Sequence, residues 1–212
     1  MSFSWILFDL NGTLLDPGGV GEPLGLSREG SLAALDDAIL GSMAETLSGS
    51  YRPLPDFLRA ALVLRAGSES GIEDAMQRAR AMPAYPDCRP ALERLRSAGL
   101  AIGVLTNSAR ETAETALAAA GLRDLLDVVA GSDEVGAFKP DPRVYRLGLE
   151  RTGAAPHEVC MVASHWWDLM GAARAGMRTA WVARDGRALS QAGPEPGLRA
   201  ATLDELALRL TT

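Results

Sequence analysis

The sequence predicts an α/β fold in which a doubly wound, mostly parallel sheet carries a small helical cap inserted after its first strand. Short apolar runs alternate with amphipathic helical stretches, as in repeated strand–helix–strand units. Three helical patterns, with no strand-like run between them, interrupt this alternation over residues 17–83. The 212 residues, of which 47% are hydrophobic, suffice for one such core with a modest insertion.

The first apolar run, residues 4–9, ends in a carboxylate and meets the turn signal Asn11-Gly12. We expect this strand in the centre of the sheet, with ligands gathered at the C-terminal strand ends. The other predicted strands are residues 100–105, 159–163 and 178–182. The predicted core helices are residues 90–98, 109–120, 142–152, 168–175 and 203–210.

The interrupting block has helical patterns at residues 31–47, 55–66 and 72–82. Pro83 and Pro86 then disfavour helix at the residues before them and mark the return to the sheet. We therefore expect two units. The core comprises residues 1–16 and 84–212, and the cap comprises residues 17–83.

Charge and composition exclude several classes of protein. The chain has 21 basic and 27 acidic residues, a net charge of -6, and no Lys/Arg cluster, so we expect no nucleic-acid partner. No apolar run approaches the roughly 20 residues of a membrane span. Cys88 and Cys160 form no disulfide framework, and the first residues do not resemble a signal peptide. These features favour a cytoplasmic protein without a membrane partner.

Four clusters of polar residues lie in the predicted core. They are Asp9 to Thr13, Thr106 to Ser108, the segment around Lys139, and Ser164 to Asp168. Because parallel strands end at one edge of a sheet, we expect two carboxylates, an ammonium, an amide and several hydroxyls to share one cleft.

In this order and spacing, the four clusters resemble those of the haloacid dehalogenase (HAD) superfamily, over residues 1–16 and 84–212. The resemblance implies a Rossmann-like core and a nucleophilic aspartate at Asp9. Metal-dependent phosphatases of the superfamily have a second Asp where this chain has Asn11, and an acidic magnesium ligand where it has Ser164. Magnesium binding requires such carboxylates, so these two residues disfavour phosphoryl transfer.

The runs from Asp133 to Tyr145 and from Val162 to Asp168 are similar to the L-2-haloacid dehalogenase branch, which needs no metal. The resemblance implies attack by Asp9 on a halogen-bearing carbon of a small 2-haloacid, followed by hydrolysis of the aspartyl ester. It assigns Asp168 as the base for water and Lys139 as the cation that holds Asp9. No cofactor is expected.

The remaining site residues have supporting roles under the same resemblance. Thr13 and Thr106 would orient the nucleophile, and Asn107 would donate to the departing halide. Tyr145 and Ser164 would complete a hydrogen-bonded ring. The expected substrate-binding residues are Asn11, Asn107, Tyr145, His165 and Trp167.

One position departs from the dehalogenase branch. Leu35 stands where the branch has an arginine that contacts halide and substrate. The substrate carboxylate would then bind elsewhere, to backbone N–H groups near Asn11 and Gly12 or to an arginine such as Arg28. Arg52 and Arg59 are the other nearby basic candidates, and none of the three arginines matches the motif of the branch.

Other interpretations stay open from sequence alone. One is a phosphatase in which Asp9, Asp168 and a backbone carbonyl hold magnesium, and another is a catalytically idle HAD scaffold that binds a small ligand. Asp168 also fits a helix N-cap, His165 a structural hydrogen bond, and Tyr145 plain packing. Trp167 fits a cleft wall, and the chain fits a homodimer as well as a monomer.

Overall fold

A six-stranded parallel sheet runs through the computed structural model, which describes residues 3–211. The strands are β1 Trp5–Phe8, β2 Ala101–Thr106, β3 Val128–Gly131, β4 Val159–Ala163, β5 Arg178–Val182 and β6 Leu198–Ala200. Their order across the sheet is β3-β2-β1-β4-β5-β6, so β1 is central as predicted. Phe8 pairs with Val104 on one side and Val162 on the other, which brings the ends of three strands together.

All four predicted strands are present, but the sequence missed β3 and β6. Both are edge strands of only four and three residues. Runs this short carry too little periodicity to stand out from loop sequence. The miss at β3 matters most, because this strand leads into the segment that contains Lys139.

The helices are α1 Arg28–Leu47, α2 Leu54–Ala66, α3 Ile72–Arg80, α4 Cys88–Ser97, α5 Arg110–Ala119, α6 Pro142–Thr152, α7 Trp166–Arg174 and α8 Leu203–Thr211. Helix α6 has a clear sequence cause. Asp141 caps it by accepting a hydrogen bond from the Arg143 amide, and Pro142 occupies its first turn. Helix α7 begins at Trp166 rather than at Asp168, so the alternative of Asp168 as its N-cap is wrong and His165 occupies that position.

The period-two alternation of β1 divides the core into two layers. Ile6 and Phe8 belong to the apolar cluster that includes α4, α5 and α8, whereas Leu7 belongs to the cluster with α6 and α7. Helices therefore cover both faces of the sheet, as a doubly wound fold requires. Both cysteines, Cys88 and Cys160, are free and buried in this core.

Helices α1 to α3 follow β1 in the chain and lie near the C-terminal edge of the sheet. Leu35 and Ile39 of α1 and Leu54 of α2 line a cavity together with Asp9, the residue after β1. Across the described residues, no helix is long and apolar enough to cross a membrane.

Arg184, two residues beyond β5, is a 7% exposed cation that joins separate segments of the core. Its guanidinium donates two hydrogen bonds of 2.8 Å to the Asp87 carboxylate, and its Nε donates to the Thr13 carbonyl at 3.1 Å. Asp87 also accepts from the Leu203 amide at 2.8 Å. Burial tends to raise the pKa of Asp87, but the hydrogen bonds from Arg184 and the Leu203 amide, together with the Arg184 charge, outweigh burial and lower it. Arg184 thus fixes the loop after β1 against α4 and α8.

Replacing Arg184 by Met should lower the free energy of unfolding by about 3 kcal/mol, because it leaves the Asp87 carboxylate without its cation. The control is Arg59→Met, since Arg59 and its partner Glu73 have side chains that are 44% and 79% exposed. That change should leave the free energy of unfolding nearly unchanged, because an exposed ion pair contributes little. Equal losses of stability in urea titrations of the two variants would contradict a structural role for Arg184.

Candidate active site

Asp9 lies at the C-terminal edge of the sheet, where its carboxylate is held on both oxygens. Its amide continues the strand by donating to the Val162 carbonyl at 3.0 Å. Oδ1 accepts a hydrogen bond from Lys139 Nζ at 3.1 Å, and Oδ2 accepts one from Thr13 Oγ1 at 2.9 Å. The residue is 6% exposed and lines a small cavity of about 10 Å³, so the carboxylate is fixed and still borders open space.

Lys139 is fully buried and is the only lysine among the 212 residues. Its ammonium donates to Asp9 Oδ1 and, at 2.7 Å, to Asp168 Oδ2. Its amide donates to Asn107 Oδ1 at 2.8 Å, which ties the segment after β3 to the end of β2. The cation therefore bridges two carboxylates from two different strand ends.

Asp168, the third residue of α7, is fully buried behind Asp9. Its Oδ1 accepts from the Tyr145 hydroxyl at 2.8 Å, while Lys139 holds its Oδ2. Gly171 makes room for this tyrosine, because a Cβ at that position would lie 2.4 Å from the ring atoms. Tyr145 is itself fully buried and does not line the cavity with Asp9. The expectation that Tyr145 contacts substrate is therefore wrong, and its position is that of a support for Asp168.

The environments of the two carboxylates move their pKa values in opposite directions. Burial by itself raises the pKa of Asp9, but the charge of Lys139 and hydrogen bonds from His165 and Lys139 hold it well below the usual range. The pKa of Asp168 is raised, because burial and the nearby Asp9 charge outweigh the attraction of Lys139. Burial opposes the Lys139 cation as well, yet the two carboxylates raise its pKa above the usual value. Asp9 is thus the weaker base of the two.

Unlike the Thr13 hydroxyl, which donates to Asp9, the hydroxyls of Ser164 and Thr106 bond to other groups. Ser164 donates to the Gly12 carbonyl at 2.6 Å, and its amide donates to Thr13 Oγ1 at 3.2 Å. It braces the loop after β1 without reaching the Asp9 carboxylate. Thr106 accepts from the Ser108 amide at 3.1 Å and lines the cavity, so its hydroxyl caps the turn after β2 instead of orienting the nucleophile.

The cavity beside Asp9 brings together most of the predicted substrate-binding residues. Asn11 donates to the Ser108 hydroxyl at 3.1 Å, and His165 Nδ1 lies 3.3 Å from Asp9 Oδ2. The Trp167 ring lies 5.1 Å from the imidazole, centroid to centroid. The complete lining is Asp9, Asn11, Leu35, Ile39, Leu54, Thr106, Asn107, His165 and Trp167.

Leu35 forms part of this lining, and no arginine replaces it there. The three basic candidates are all engaged elsewhere. Arg28 pairs with Asp16 and Asp185, Arg52 with Glu45, and Arg59 with Glu73. The expectation that one of them takes over the missing arginine's place is wrong.

A second, larger cavity of about 450 Å³ adjoins the first one. The two share Asn11, Leu35 and Leu54, and the larger one extends between α2, α3 and α5. Its walls are mainly aliphatic, with Leu58 and Met76 among them. Through the three shared residues it borders the space beside Asp9, and its apolar walls suit a small molecule with an apolar part.

The sequence analysis missed two residues that shape the site. Arg184 lies just beyond a predicted strand, the same signal that identified the other polar clusters, and it holds the Thr13 carbonyl. Ser108, the last residue of the Thr106 to Ser108 cluster, has no role in the sequence analysis, yet it accepts a hydrogen bond from the Asn11 side chain. A further signal was the count of lysines, since a single lysine in a chain with 20 arginines marks a position that arginine cannot fill.

The donor set does not fit magnesium. The carboxylates of Asp9 and Asp168 are already bridged by the Lys139 ammonium, and Ser164 supplies only a hydroxyl that is bonded to a backbone carbonyl. Within residues 3–211, no three His, Cys, Asp or Glu side chains are grouped so that they could hold a metal ion. Magnesium ordinarily takes one or two free carboxylates.

Several known proteins are similar to this chain. The (S)-2-haloacid dehalogenase 4A of Burkholderia cepacia is 33% identical over 191 residues, which are 85% of this chain and 83% of the relative. A phosphatase of Mycobacterium tuberculosis is 41% identical over 143 residues, 64% of each chain. The structure of an L-2-haloacid dehalogenase from Xanthobacter autotrophicus, with chloropropionic acid covalently bound, superposes with a TM-score of 0.88, 25% identity and 97% coverage of both chains.

The family assignment rests on a match along most of the chain. A model of the haloacid dehalogenase-like hydrolases matches residues 3–176. This range contains Asp9, Lys139 and Asp168 and all the strands that carry them. The chain is therefore a hydrolase that belongs to the haloacid dehalogenase-like family.

Proposed function

We propose that this hydrolase removes the halogen from a small 2-haloacid through an ester of Asp9, without a metal ion. The observation that carries the proposal is the carboxylate of Asp9, ionised by its contact with Lys139 and accessible from a cavity without a free metal-binding carboxylate. The names of the Burkholderia and Xanthobacter relatives support the choice of substrate class.

In the first step, an Asp9 oxygen attacks the halogen-bearing carbon from the side opposite the halogen. The new carbon–oxygen bond forms as the carbon–halogen bond breaks, and the halide leaves with the electron pair. Because a halide needs no proton to leave, Asn11 is a sufficient replacement for the acid found in phosphatases. Lys139 and Thr13 orient the carboxylate for this attack.

In the second step, water attacks the carbonyl carbon of the Asp9 ester. Asp168 accepts a proton from this water, and its raised pKa makes it the better base of the pair. The bond between the carbonyl carbon and the ester oxygen breaks, and Asp168 returns its proton to the departing oxygen. The hydroxy acid therefore leaves with the original Asp9 oxygen, and the new Asp9 carboxyl group loses its proton to solvent. Tyr145 and Lys139 hold Asp168 in place throughout.

We assign residues 17–83 as the cap of this active site and residues 1–16 and 84–212 as its core. Support comes from Leu35, Ile39 and Leu54, which cover the Asp9 cavity with an aliphatic wall. Such a wall excludes water from the first step and strengthens electrostatic interactions in the cavity. The homodimer and the cytoplasmic location remain predictions.

The two alternatives fit the site less well. A phosphatase would have to free Asp9 and Asp168 from a shared ammonium before magnesium could bind. An idle scaffold would have no need to bury a lysine and two carboxylates, an arrangement with a large desolvation cost.

The oxygen atoms of the product test the covalent route directly. In a single turnover of (S)-2-chloropropionate in heavy-oxygen water, the hydroxy acid should be unlabelled, because its new oxygen comes from Asp9. The peptide that contains Asp9 should carry the label, as read by mass spectrometry. Label in the first-turnover product would show direct attack by water, and Asp9→Asn should release no halide.

Replacing Asp168 by Asn should separate the two steps. The first step needs no base, so the ester should form and accumulate as a mass increase on the Asp9 peptide. The control is Asp204→Asn, an exposed position in α8, which should turn over without accumulation. Ester hydrolysis at the normal rate in Asp168→Asn would remove Asp168 from its assigned role.

Replacing Lys139 by Met should lower turnover at least about a hundredfold, the usual cost of losing one electrostatic stabiliser of an active site. The control is Arg143→Met, which removes an exposed cation that pairs with Asp141. It should retain nearly normal halide release. Comparable rates in the two variants, both folded by circular dichroism, would reduce Lys139 to a structural residue.

A further inference from the structure

We propose that protonated His165 binds the carboxylate of the substrate, in the place where this chain has no cap arginine. The proposal rests on the dehalogenation proposed above and identifies the group that makes the site accept an anion. It follows from two buried hydrogen-bonding atoms without partners, from the position of the imidazole beside Leu35, and from the charge balance of the site.

Two side chains of the Asp9 cavity have buried polar atoms that are unsatisfied within the described residues. They are His165 Nε2 and Asn107 Nδ2, on side chains only 3% and 6% exposed. Buried polar atoms nearly always have a partner, because leaving one unpaired costs free energy. Both residues line the same cavity, so a ligand in it can supply what the protein does not.

Gly12 locates the imidazole relative to Leu35. A Cβ built on Gly12 would lie 3.6 Å from His165 Nε2 and 4.0 Å from Leu35 Cδ2. The φ angle of +78° at this glycine lets the loop turn beside the ring. The imidazole and the leucine at the expected arginine position therefore both face Gly12 and line the same cavity.

The contact with Asp9 decides which ring nitrogen carries hydrogen. His165 Nδ1 lies 3.3 Å from Asp9 Oδ2, and an ionised carboxylate can only accept a hydrogen bond. Nδ1 must therefore donate, which leaves Nε2 as a bare acceptor in the neutral ring and as a donor only in the protonated ring. Only the protonated ring can donate to a carboxylate.

The charges of the buried site favour that form when an anion enters. Asp9 and Asp168 contribute two negative charges and Lys139 one positive charge, so the cluster carries one net negative charge if His165 is neutral. A protonated His165 brings the cluster to zero and removes the repulsion between a haloacid and Asp9. No arginine or lysine is among the nine residues that line the described cavity.

Charged groups surround the imidazole on both sides. On the sheet side they are Asp9, Lys139 and Asp168. On the other side, a groove between α1, α7 and the loop after β5 contains Asp36 and Arg187, which pair at 2.9 Å. Because those two pair with each other, Asp9 is the carboxylate that contacts the ring.

The pH dependence of the wild-type enzyme gives a test that needs no variant. The carboxyl group of 2-chloropropionate is ionised throughout the range from about pH 6 to 9, so binding that requires a proton on His165 must weaken as the pH rises. The KM for (S)-2-chloropropionate should rise at least about tenfold across this range, as expected for the loss of one charged hydrogen bond. A KM that stays constant would overturn the proposal.

Variants of His165 then separate charge from hydrogen bonding. His165→Asn and His165→Gln keep neutral donors, and each should show a high KM that no longer depends on pH. Propionate should raise the melting temperature of the wild type but not of these variants, whereas propionamide should act equally on all of them. The control is His157→Asn, at the only other histidine, which is exposed and should behave as wild type.

These results distinguish the present proposal from the proposed function. If the wild type releases no halide from any 2-haloacid, the dehalogenase function fails, but propionate and propionamide still report whether His165 binds a carboxylate. If halide release is normal and both His165 variants keep a low KM and respond to propionate as wild type does, the role of His165 is refuted while the function stands. Equal loss of propionate and propionamide binding also refutes it, since no charge would then be involved.

Discussion

The rest of the site depends on one buried ammonium. Lys139 lies between Asp9 and Asp168, and without it two carboxylates would have to be buried side by side. Such a pair would repel and take up a proton, as like charges in a shared site do. The cation keeps both ionisable groups in position while their environments give them different basicities. One ion thus permits a nucleophile and a base at neighbouring strand ends.

The fold delivers these groups from separate parts of the chain because all six strands run parallel. Asp9 follows β1, Asn107 follows β2 and Asp168 follows β4, so the central three strands supply most of the polar groups. Arg184, beyond β5, donates a hydrogen bond to the Thr13 carbonyl and so fixes the loop after β1. The edge of the sheet that carries the reactive groups is therefore also stabilised by the Arg184–Asp87 ion pair, which lies outside the cavity.

The sequence predicted this layout well where a clear hydrophobic pattern ends in reactive polar residues. The central strands, the eight helices and the grouping of Asp9 with Asp168 follow from apolar runs and the polar residues at their ends, whereas the place of Lys139 rested on the family resemblance, because the strand before it was missed. It failed at β3 and β6, whose lengths are too short for a period to appear. It also assigned Tyr145 wrongly to substrate binding. The Tyr145 ring fits into the space that Gly171 leaves on the neighbouring helix, and packing between helices is not encoded in any local sequence pattern.

The single lysine has a consequence for how the molecule presents itself to solvent. Since every other basic side chain is an arginine or one of two histidines, the folded surface carries no lysine ammonium. Amine-directed acylation of a side chain can occur only after the centre of the core has opened. The extent of lysine acylation in this protein is thus a direct measure of how often the active site unfolds, recorded at the residue on which that site depends.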